Sequence, residues 1–334
     1  MPSFERDSQR IVIAGASTLL GTELKSLLEE SPFASWDYRL LDEEVAAGTL
    51  TEAGGEPAVI LPAEEGSFDR ARFVFFTGSA AFTKTNLSAA KQARGKIVDL
   101  SGALADHPKI ITWFPGIDSL RGGELPRTGT AYVVPSAAAT AAATLSLALQ
   151  PLGLEKLVFV CFQPVSEAGR AGIEELESQT SQVLSFQSVG KPVFDAQVAF
   201  ALLDRFGPAS SQDLLSARER IRTEIEVCIA GKTGLPALQL LHVPVFYGVT
   251  FAACAHVTLE ANCPRLVQAC NSAGFAPITR DEALSNISAA GETLIQLAEP
   301  QADPAALGTW WFWGAADNIR VPAWNAVKLA EKLL

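Results

Sequence analysis

A strand, a glycine turn and an amphipathic helix follow one another near the start of this chain, and this succession constrains its fold more than any other feature. Residues 10–14 (R-I-V-I-A) are a short apolar run typical of a buried strand, and Gly15 ends it. The helix that follows places Leu20, Leu24, Leu27 and Leu28 on one face. Further strands are predicted at Tyr38–Leu41, Phe73–Phe76, Lys96–Leu100 and Ala131–Val134. Strands that alternate with helices predict an α/β domain with a doubly wound parallel sheet.

The pattern changes near residues 158–163, where longer helices and strands begin. A helix is predicted over Leu214–Ile229, with Leu214, Ala217, Ile221, Ile225 and Cys228 along one face. Strands are predicted at Leu238–Val245, Thr250–Leu259 and Trp310–Trp313, and a closing helix at Trp324–Leu334. This half of the chain therefore predicts an α+β domain whose mixed sheet is covered by helices.

Composition and charge exclude several classes of function. The chain has 334 residues and a net charge of −11, which argues against nucleic acid or an anionic membrane surface as partner. No apolar run reaches the roughly 18 residues of a membrane span, and the first residues lack the apolar stretch of a signal peptide. The five cysteines form no C-x-x-C pair, as expected of a reduced, cytoplasmic, bacterial-type protein.

The turn after the first strand is a modified dinucleotide fingerprint. Gly15 suits the tight turn, and Gly21 lets helix and strand approach closely, but the middle glycine is replaced by Thr18. A threonine there should crowd a phosphate, although the helix N-terminus still favours an anion. The sequence leaves open whether the turn binds a dinucleotide or is structural.

An acidic run follows the second predicted strand. An acid about 20 residues beyond the glycine turn usually bonds the ribose hydroxyls and repels a 2′-phosphate. Asp42 occupies this place and is followed by Glu43 and Glu44, so NAD is favoured over NADP as any cofactor. Three solvated acids in a loop are an equally good interpretation.

Segments spread in order over nearly the whole chain resemble one enzyme family. They are V-P-S-A-A-A-T at 134–140, V-C-F-Q-P-V-S-E-A-G at 160–169, F-D-A-Q-V-A-F-A-L-L at 194–203, H-V-P-V-F-Y-G-V at 242–249 and D-N-I-R-V-P-A-W-N-A-V at 317–327. Together they resemble the aspartate-semialdehyde dehydrogenases, and in particular the Usg-type paralogues of that enzyme.

The resemblance implies a fold and a set of binding residues. It implies a Rossmann-like dinucleotide-binding domain at residues 1–136, a catalytic and dimerisation domain at 137–316, and a C-terminal helix at 317–334 that returns to the N-terminal domain. It keeps Gln163, which orients the substrate in the family. The cofactor-binding residues it implies are Gly15, Ser17, Thr18, Gly21, Asp42, Gly78, Ser101 and Asn318.

The departures from the family pattern fall on the chemistry. The place of the nucleophilic cysteine lies between Ser136 and Thr140, with Ala139 and Thr140 as the replaced positions. The family's substrate-binding arginine is His242 here, and its base histidine is Val249. Ala105 replaces an anion-binding arginine, and Val321-Pro322 replaces a Lys-Gly pair.

Other residues could in principle supply the missing chemistry. Ser136, Thr140 and Thr144 carry hydroxyls, but an alcohol needs an adjacent base to act as nucleophile. Cys161 shares a strand face with Gln163, although a strand cysteine is usually a small core residue. Cys254 and His256 lack the further ligands of a metal site, so no metal is expected.

We therefore expect a homodimer related to aspartate-semialdehyde dehydrogenase and impaired in catalysis. Aromatic residues on both faces of Trp310–Trp313 fit burial by helices on one side and by a partner subunit on the other, and an ordinary core strand buried on both sides is the alternative. NAD or NADP binding is expected to be weak or absent, and the residual cleft would take a nucleotide or a small carboxylate. The alternatives are an active NAD(P)-dependent aldehyde oxidoreductase and a non-catalytic partner of an active paralogue.

Overall fold

The structure is a computed structural model that describes residues 9–43, 48–53, 55–105, 107, 110–258, 261–279 and 281–334. These residues form two units, each built on its own seven-stranded sheet. The first unit holds the described residues up to 115 together with 124–135 and 322–334, and the second holds 116–123 and 136–321. The predicted segment boundaries at 136 and 316 remain predictions.

Parallel strands form the sheet of the first unit. The strands are β1 (Arg10–Ala14), β2 (Asp37–Asp42), β5 (Leu61–Pro62), β6 (Phe73–Phe76), β7 (Lys96–Asp99), β8 (Ile111–Thr112) and β9 (Ala131–Val133), and β3 (Leu50–Ala53) pairs separately with β4 (Glu56–Val59). The sheet order is β5-β2-β1-β6-β7-β9-β8. The chain therefore reverses direction across the sheet between β1 and β6, the kind of switch point beside which α/β sheets bind ligands.

Two helices of the first unit begin at hydroxyl caps. Helix α1 (Leu19–Glu29) starts after Thr18, and α2 (Ala80–Gln92) starts after Ser79, each with the cap oxygen accepting a backbone N–H. Leu24, Leu27 and Leu28 of α1 are buried, as the leucine spacing predicts. Capping and the apolar stripe together fix where α1 lies at the end of β1.

The second unit contains a mixed sheet. Its strands are β10 (Leu154–Gln163), β11 (Ala237–His242), β12 (Val249–Val257), β13 (Ala276–Ile278), β14 (Gln296–Ala298), β15 (Gln301–Ala302) and β16 (Thr309–Ala316). The order is β11-β10-β12-β16-β14-β13, with β15 paired to β16. The sheet is mixed because β10 runs parallel to β11 and antiparallel to β12. Together with the parallel sheet of the first unit, this confirms the predicted Rossmann-like doubly wound parallel sheet and the α+β domain with a mixed sheet.

The second unit also contains α-helices. They are α3 (Ile117–Arg121), α4 (Ala137–Leu149), α5 (Gly169–Leu184), α6 (Leu214–Ile229) and α7 (Cys263–Ser272). All thirteen residues of α4 are buried, as expected of a helix that is apolar on every side. Helix α4 contacts α6, α7 and the strands β10 and β12, so it lies at the centre of this core.

Helix α8 (Arg320–Leu333) begins four residues before the predicted start at Trp324. The predicted start was wrong: the helix includes Pro322 in its first turn, where a proline is tolerated because its missing N–H has no helical partner. Asp317 also caps this end, since its Oδ1 accepts the N–H of Ile319 at 2.9 Å and of Arg320 at 2.8 Å. Within the described residues, no helix is long and apolar enough to cross a membrane.

Candidate active site

The position predicted for a nucleophile lies in the first turn of α4. Ser136 caps this helix, with its Oγ accepting the N–H of Ala139 at 3.3 Å. A helix N-terminus lowers the pKa of a thiol and so suits a nucleophilic cysteine. Here the candidate positions Ala139 and Thr140 are 0% and 5% exposed, and the Thr140 hydroxyl has no hydrogen-bond partner in the part of the chain that is described. The first turn of α4 therefore carries a methyl group at residue 139 and a buried hydroxyl at residue 140 in place of a thiol.

A buried carboxylate accepts hydrogen bonds from the residue that caps α4. Glu224 of α6 is 2% exposed, and its Oε2 accepts both the Ser136 N–H at 3.0 Å and the Ser136 Oγ–H at 2.6 Å. This residue was not predicted from the sequence, although a signal was present. Glu224 follows Ile221 by three residues and precedes Cys228 by four, so it is a charge placed on the apolar face of the helix.

A second carboxylate stands near the first. Glu167 lies in a short 3₁₀ helix at Val165–Ala168. Its Oε2 is 3.9 Å from the guanidinium of Arg220, which is one turn before Glu224 on α6. Burial raises the pKa of Glu167, and Glu224 adds to this, while Arg220 and the amide of Asn318 act in the opposite direction. We refer to Glu167, Arg220 and Glu224 as the charged cluster.

Asn318 organises the backbone beside the charged cluster. Its Nδ2 donates to Glu167 Oε1 at 3.0 Å and to Ser166 Oγ at 3.1 Å, and its Oδ1 accepts the Gly248 N–H at 2.9 Å. Gly248 has φ +83°, and a Cβ there would lie 2.8 Å from the Asn286 carbonyl oxygen. The Asn318 amide, predicted to bind cofactor, is therefore engaged by three residues of its own unit.

His242 is sealed inside the second unit. It is 0% exposed, and the rings of Phe194 and Phe206 lie 5.7 and 5.4 Å from its own. Neither ring nitrogen has a hydrogen-bond partner among the described residues. Burial lowers the pKa of His242 to about 4, so the imidazole is neutral at pH 7. A neutral, enclosed ring cannot act as the counter-charge of a carboxylate.

The remaining predicted residues of this unit lie on neighbouring strands. Gln163 ends β10 directly opposite His242 at the end of β11, so these two are brought together. Val249 begins β12, is 3% exposed and pairs with Ala316. Cys161 is 1% exposed, and burial raises the pKa of its thiol, which therefore stays protonated and unreactive.

The glycine turn of the first unit is closed by its own hydrogen bonds. The N–H groups of Gly15 and Ala16 donate to the Leu41 carbonyl at 2.8 and 3.0 Å, and that of Thr18 donates to the Gly15 carbonyl at 3.1 Å. The Thr18 Oγ accepts the Gly21 N–H at 2.9 Å and donates to the Gly15 carbonyl at 2.8 Å. These contacts leave the threonine hydroxyl with both a donor and an acceptor partner.

Asp42 supplies the remaining hydrogen-bond acceptor of the glycine turn. It is 5% exposed, and its Oδ2 accepts the Ser17 N–H at 2.7 Å while its Oδ1 accepts the Glu43 N–H at 2.8 Å. Every N–H from Gly15 to Thr18 therefore has an acceptor within the protein, and one acceptor is a carboxylate. A pyrophosphate at this turn would meet the Asp42 carboxylate, which carries the same sign of charge, so it does not fit the turn as it stands.

The other predicted binding residues of the first unit have packing or turn roles. A Cβ on Gly15 would lie 2.2 Å from the Gly78 nitrogen, so close backbone approach alone requires the glycine at 15. Ser101 donates through Oγ to Asp99 Oδ1 at 2.6 Å. Ala105 lies in the turn that follows and presents a methyl group where the resembling family has an arginine. No group of three or more His, Cys, Asp or Glu side chains within the described ranges could hold a metal ion.

Comparisons with known proteins identify the family. Residues 145–321, more than half of the chain, match the model described as semialdehyde dehydrogenase, dimerisation domain. A USG-1 protein homolog from Pseudomonas aeruginosa is 26% identical, and an aspartate-semialdehyde dehydrogenase from Rickettsia bellii is 22% identical, each over 97% of both chains. A solved probable aspartate-semialdehyde dehydrogenase from Pseudomonas aeruginosa superposes with a TM-score of 0.86 at 23% identity, covering 97% of this chain and 98% of that one. On these grounds the chain belongs to the semialdehyde dehydrogenase family.

Proposed function

We propose that this protein is a homodimeric member of the aspartate-semialdehyde dehydrogenase family that has lost aldehyde oxidation. The observation that carries the proposal is the identity and burial of the side chains at the three positions that the resemblance assigns to chemistry. Ala139, Val249 and the neutral His242 are all at most 3% exposed.

Each of these side chains lacks the property that the reaction needs. A methyl group cannot add to an aldehyde carbon, an isopropyl group cannot take a proton, and a neutral imidazole without polar partners in the described structure cannot pair a carboxylate. Loss of a base or of an oriented charge costs about 10²–10⁴-fold in rate each, and loss of the nucleophile removes the covalent route altogether.

The homodimer is supported by the open face of the mixed sheet. Along β10 and β12 buried residues alternate with half-buried ones, and the half-buried row is apolar at Val158, Val160 and Phe162 of β10 and at Ala252 of β12. Val160, Ala252 and Trp313 lie side by side across three strands, and Phe162 contacts the Trp313 ring at 6.1 Å. A sheet face that meets only water is normally polar, so we infer that a second copy covers this one. The match to a dimerisation domain includes all of these residues.

The ligand classes that the proposal leaves open are a nucleotide and a small carboxylate. Binding of NAD or NADP is proposed to be weak or absent because the glycine turn is internally satisfied. Any residual affinity favours NAD, since the Asp42 carboxylate would repel a 2′-phosphate. We place the protein in the bacterial cytoplasm, where its five free thiols would stay reduced.

A second candidate, an active NAD(P)-dependent aldehyde oxidoreductase, is favoured by one contact. Ser136 Oγ lies 2.6 Å from Glu224 Oε2, so a hydroxyl has the adjacent acceptor that an alcohol nucleophile requires. In such an enzyme Ser136 Oγ would add to the aldehyde carbon while Glu224 takes the hydroxyl proton. The same oxygen caps α4, which makes a structural role sufficient to explain the contact.

A steady-state assay of the purified protein with aspartate semialdehyde, phosphate and either NAD or NADP tests these proposals. We expect no reduced cofactor above the rate without protein. Turnover that disappears in a Ser136→Ala variant would replace the first proposal with the second. Light scattering on the same sample should give twice the chain mass of 35.4 kDa.

A third candidate is a non-catalytic partner of an active paralogue. It requires the same dimerisation face and therefore shares the structural support of the homodimer. Co-expression with a complete aspartate-semialdehyde dehydrogenase, followed by affinity purification of one tagged chain, distinguishes the two. Recovery of the untagged enzyme in equal amount would favour the mixed dimer, and its absence would favour the homodimer.

A further inference from the structure

We propose that Asp42 is a resident anion that closes the dinucleotide turn of this protein, and that Asp42 and Thr18 together exclude pyrophosphate from it. The inference rests on the proposed function, whose weak or absent cofactor binding it explains, and it assigns that property to two side chains. It concerns the first unit alone.

The first step is the geometry of the Asp42 contact. The Ser17 N–H points at Asp42 Oδ2 from 2.7 Å, within the range of a charge-assisted hydrogen bond. The carboxylate is 5% exposed and is held from its other oxygen by the Glu43 N–H. It therefore lies against the glycine turn just before α1, beside the helix end at which a dinucleotide-binding protein holds a phosphate.

The second step is the Thr18 side chain. A phosphate that approaches this turn needs a glycine whose backbone can come close to it, and Thr18 instead folds its hydroxyl over the start of α1. The Oγ takes the Gly21 N–H, which would otherwise be one of the unpaired donors of the first helical turn. One donor of this helix end is therefore occupied without any ligand.

The third step is the charge of the surrounding edge of the sheet. Glu43 accepts a hydrogen bond from the Ser79 hydroxyl at 3.2 Å, and Ser79 caps α2. A second carboxylate thus stands at the neighbouring helix N-terminus. Two anions at the two helix ends beside the β1–β6 switch point disfavour a third, since like charges repel across the short distances involved.

The test is a set of calorimetric titrations with NAD and, separately, with inorganic pyrophosphate. Wild-type protein should give no binding heat at millimolar ligand. Asp42→Ala and Thr18→Gly should each gain affinity, and the double variant should bind at least about tenfold more tightly than either single variant. Asp37→Asn is the matched control, because Asp37 lies on the same strand but pairs with Arg10.

A second measurement shows whether the variants are folded, so that a failure to bind is not caused by unfolding. Thermal unfolding is followed with and without pyrophosphate, which should raise the midpoint of the folded double variant and leave that of the wild type unchanged. Micromolar binding of NAD by the wild type would overturn the inference, and so would a folded double variant that binds no better than the wild type. Turnover in the aldehyde assay would overturn the proposed function instead, so the two failures are distinguishable.

Discussion

The Oγ of Ser136 lies 2.6 Å from the Oε2 of Glu224, although 88 residues separate the two along the chain. The contact ties the start of α4 to the middle of α6, and these are the two helices at the centre of the second unit's core. A buried carboxylate that accepts both the backbone and the side-chain proton of one residue is a strong local constraint.

Removal of Glu224 should therefore destabilise the protein. In Glu224→Ala the Ser136 N–H and hydroxyl lose their acceptor, and we expect a loss of about 2–3 kcal/mol in the free energy of unfolding. Glu226→Ala, an exposed glutamate on the same helix, is the control and should change stability by less than about 0.5 kcal/mol. Urea unfolding followed by circular dichroism measures both. Equal stabilities would mean that water satisfies Ser136 in place of the carboxylate.

His242 should make stability depend on pH. Its pKa is about 4 in the folded protein and about 6.5 when unfolded, so between these values the unfolded chain binds more protons. The part of the unfolding free energy that depends on neutral His242 is fully present above pH 6.5. It is lost as the pH falls toward 4, and the total loss is about 3 kcal/mol. Urea midpoints across this range test the prediction. His242→Leu should flatten the profile, and His256→Gln, at a half-buried histidine of β12, is the comparison variant.

A charge on the open sheet face should break the dimer. Val160→Glu places a carboxylate beside Ala252 and Trp313, and burying it unpaired should raise the dimer dissociation constant at least about 100-fold. Leu307→Glu is the control, because Leu307 is 97% exposed in the loop before β16. Light scattering over a dilution series gives both constants. A Val160→Glu variant that stays dimeric would place the interface on another surface.

A thiol restored at the start of α4 should not restore activity. Ala139→Cys and Thr140→Cys put sulfur at positions 0% and 5% exposed, with Val249 at the position predicted for the base. We expect each thiol to react with a disulfide reagent only on unfolding, and no turnover of the aldehyde. Leu307→Cys supplies the rate of an exposed thiol for comparison. Fast reaction of the new thiol in either α4 variant would show that the turn opens to solvent.

The order of the elements was predictable because it depends on local patterns. Apolar runs placed β1 and β6 at their observed bounds, and the leucine spacing predicted a helix where α1 lies. The charged cluster was not predictable in the same way. Glu167, Arg220 and Glu224 come from two distant segments, and only the packing of α6 against the rest of the second unit brings them together. Asp42 was identified as a binding residue, but its partner, the Ser17 N–H, became known only from the structure.

The arginine of the resembling family should not be tolerated again at position 242. The His242 ring fits between Phe194 and Phe206 with no polar partner in the described structure, so His242→Arg would bury an unpaired guanidinium. We expect a loss of about 3–5 kcal/mol in unfolding free energy. His256→Arg, at a side chain 43% exposed, is the matched control and should be nearly neutral. If His242→Arg is as stable as the control, water or a carboxylate can enter the pocket around residue 242. The proposed loss of carboxylate binding would then be due to the change at position 242 alone, without changes in the surrounding core. A strongly destabilised variant means that the core has closed around the neutral ring, so that a return to the family's substrate would require changes at Phe194 and Phe206 as well.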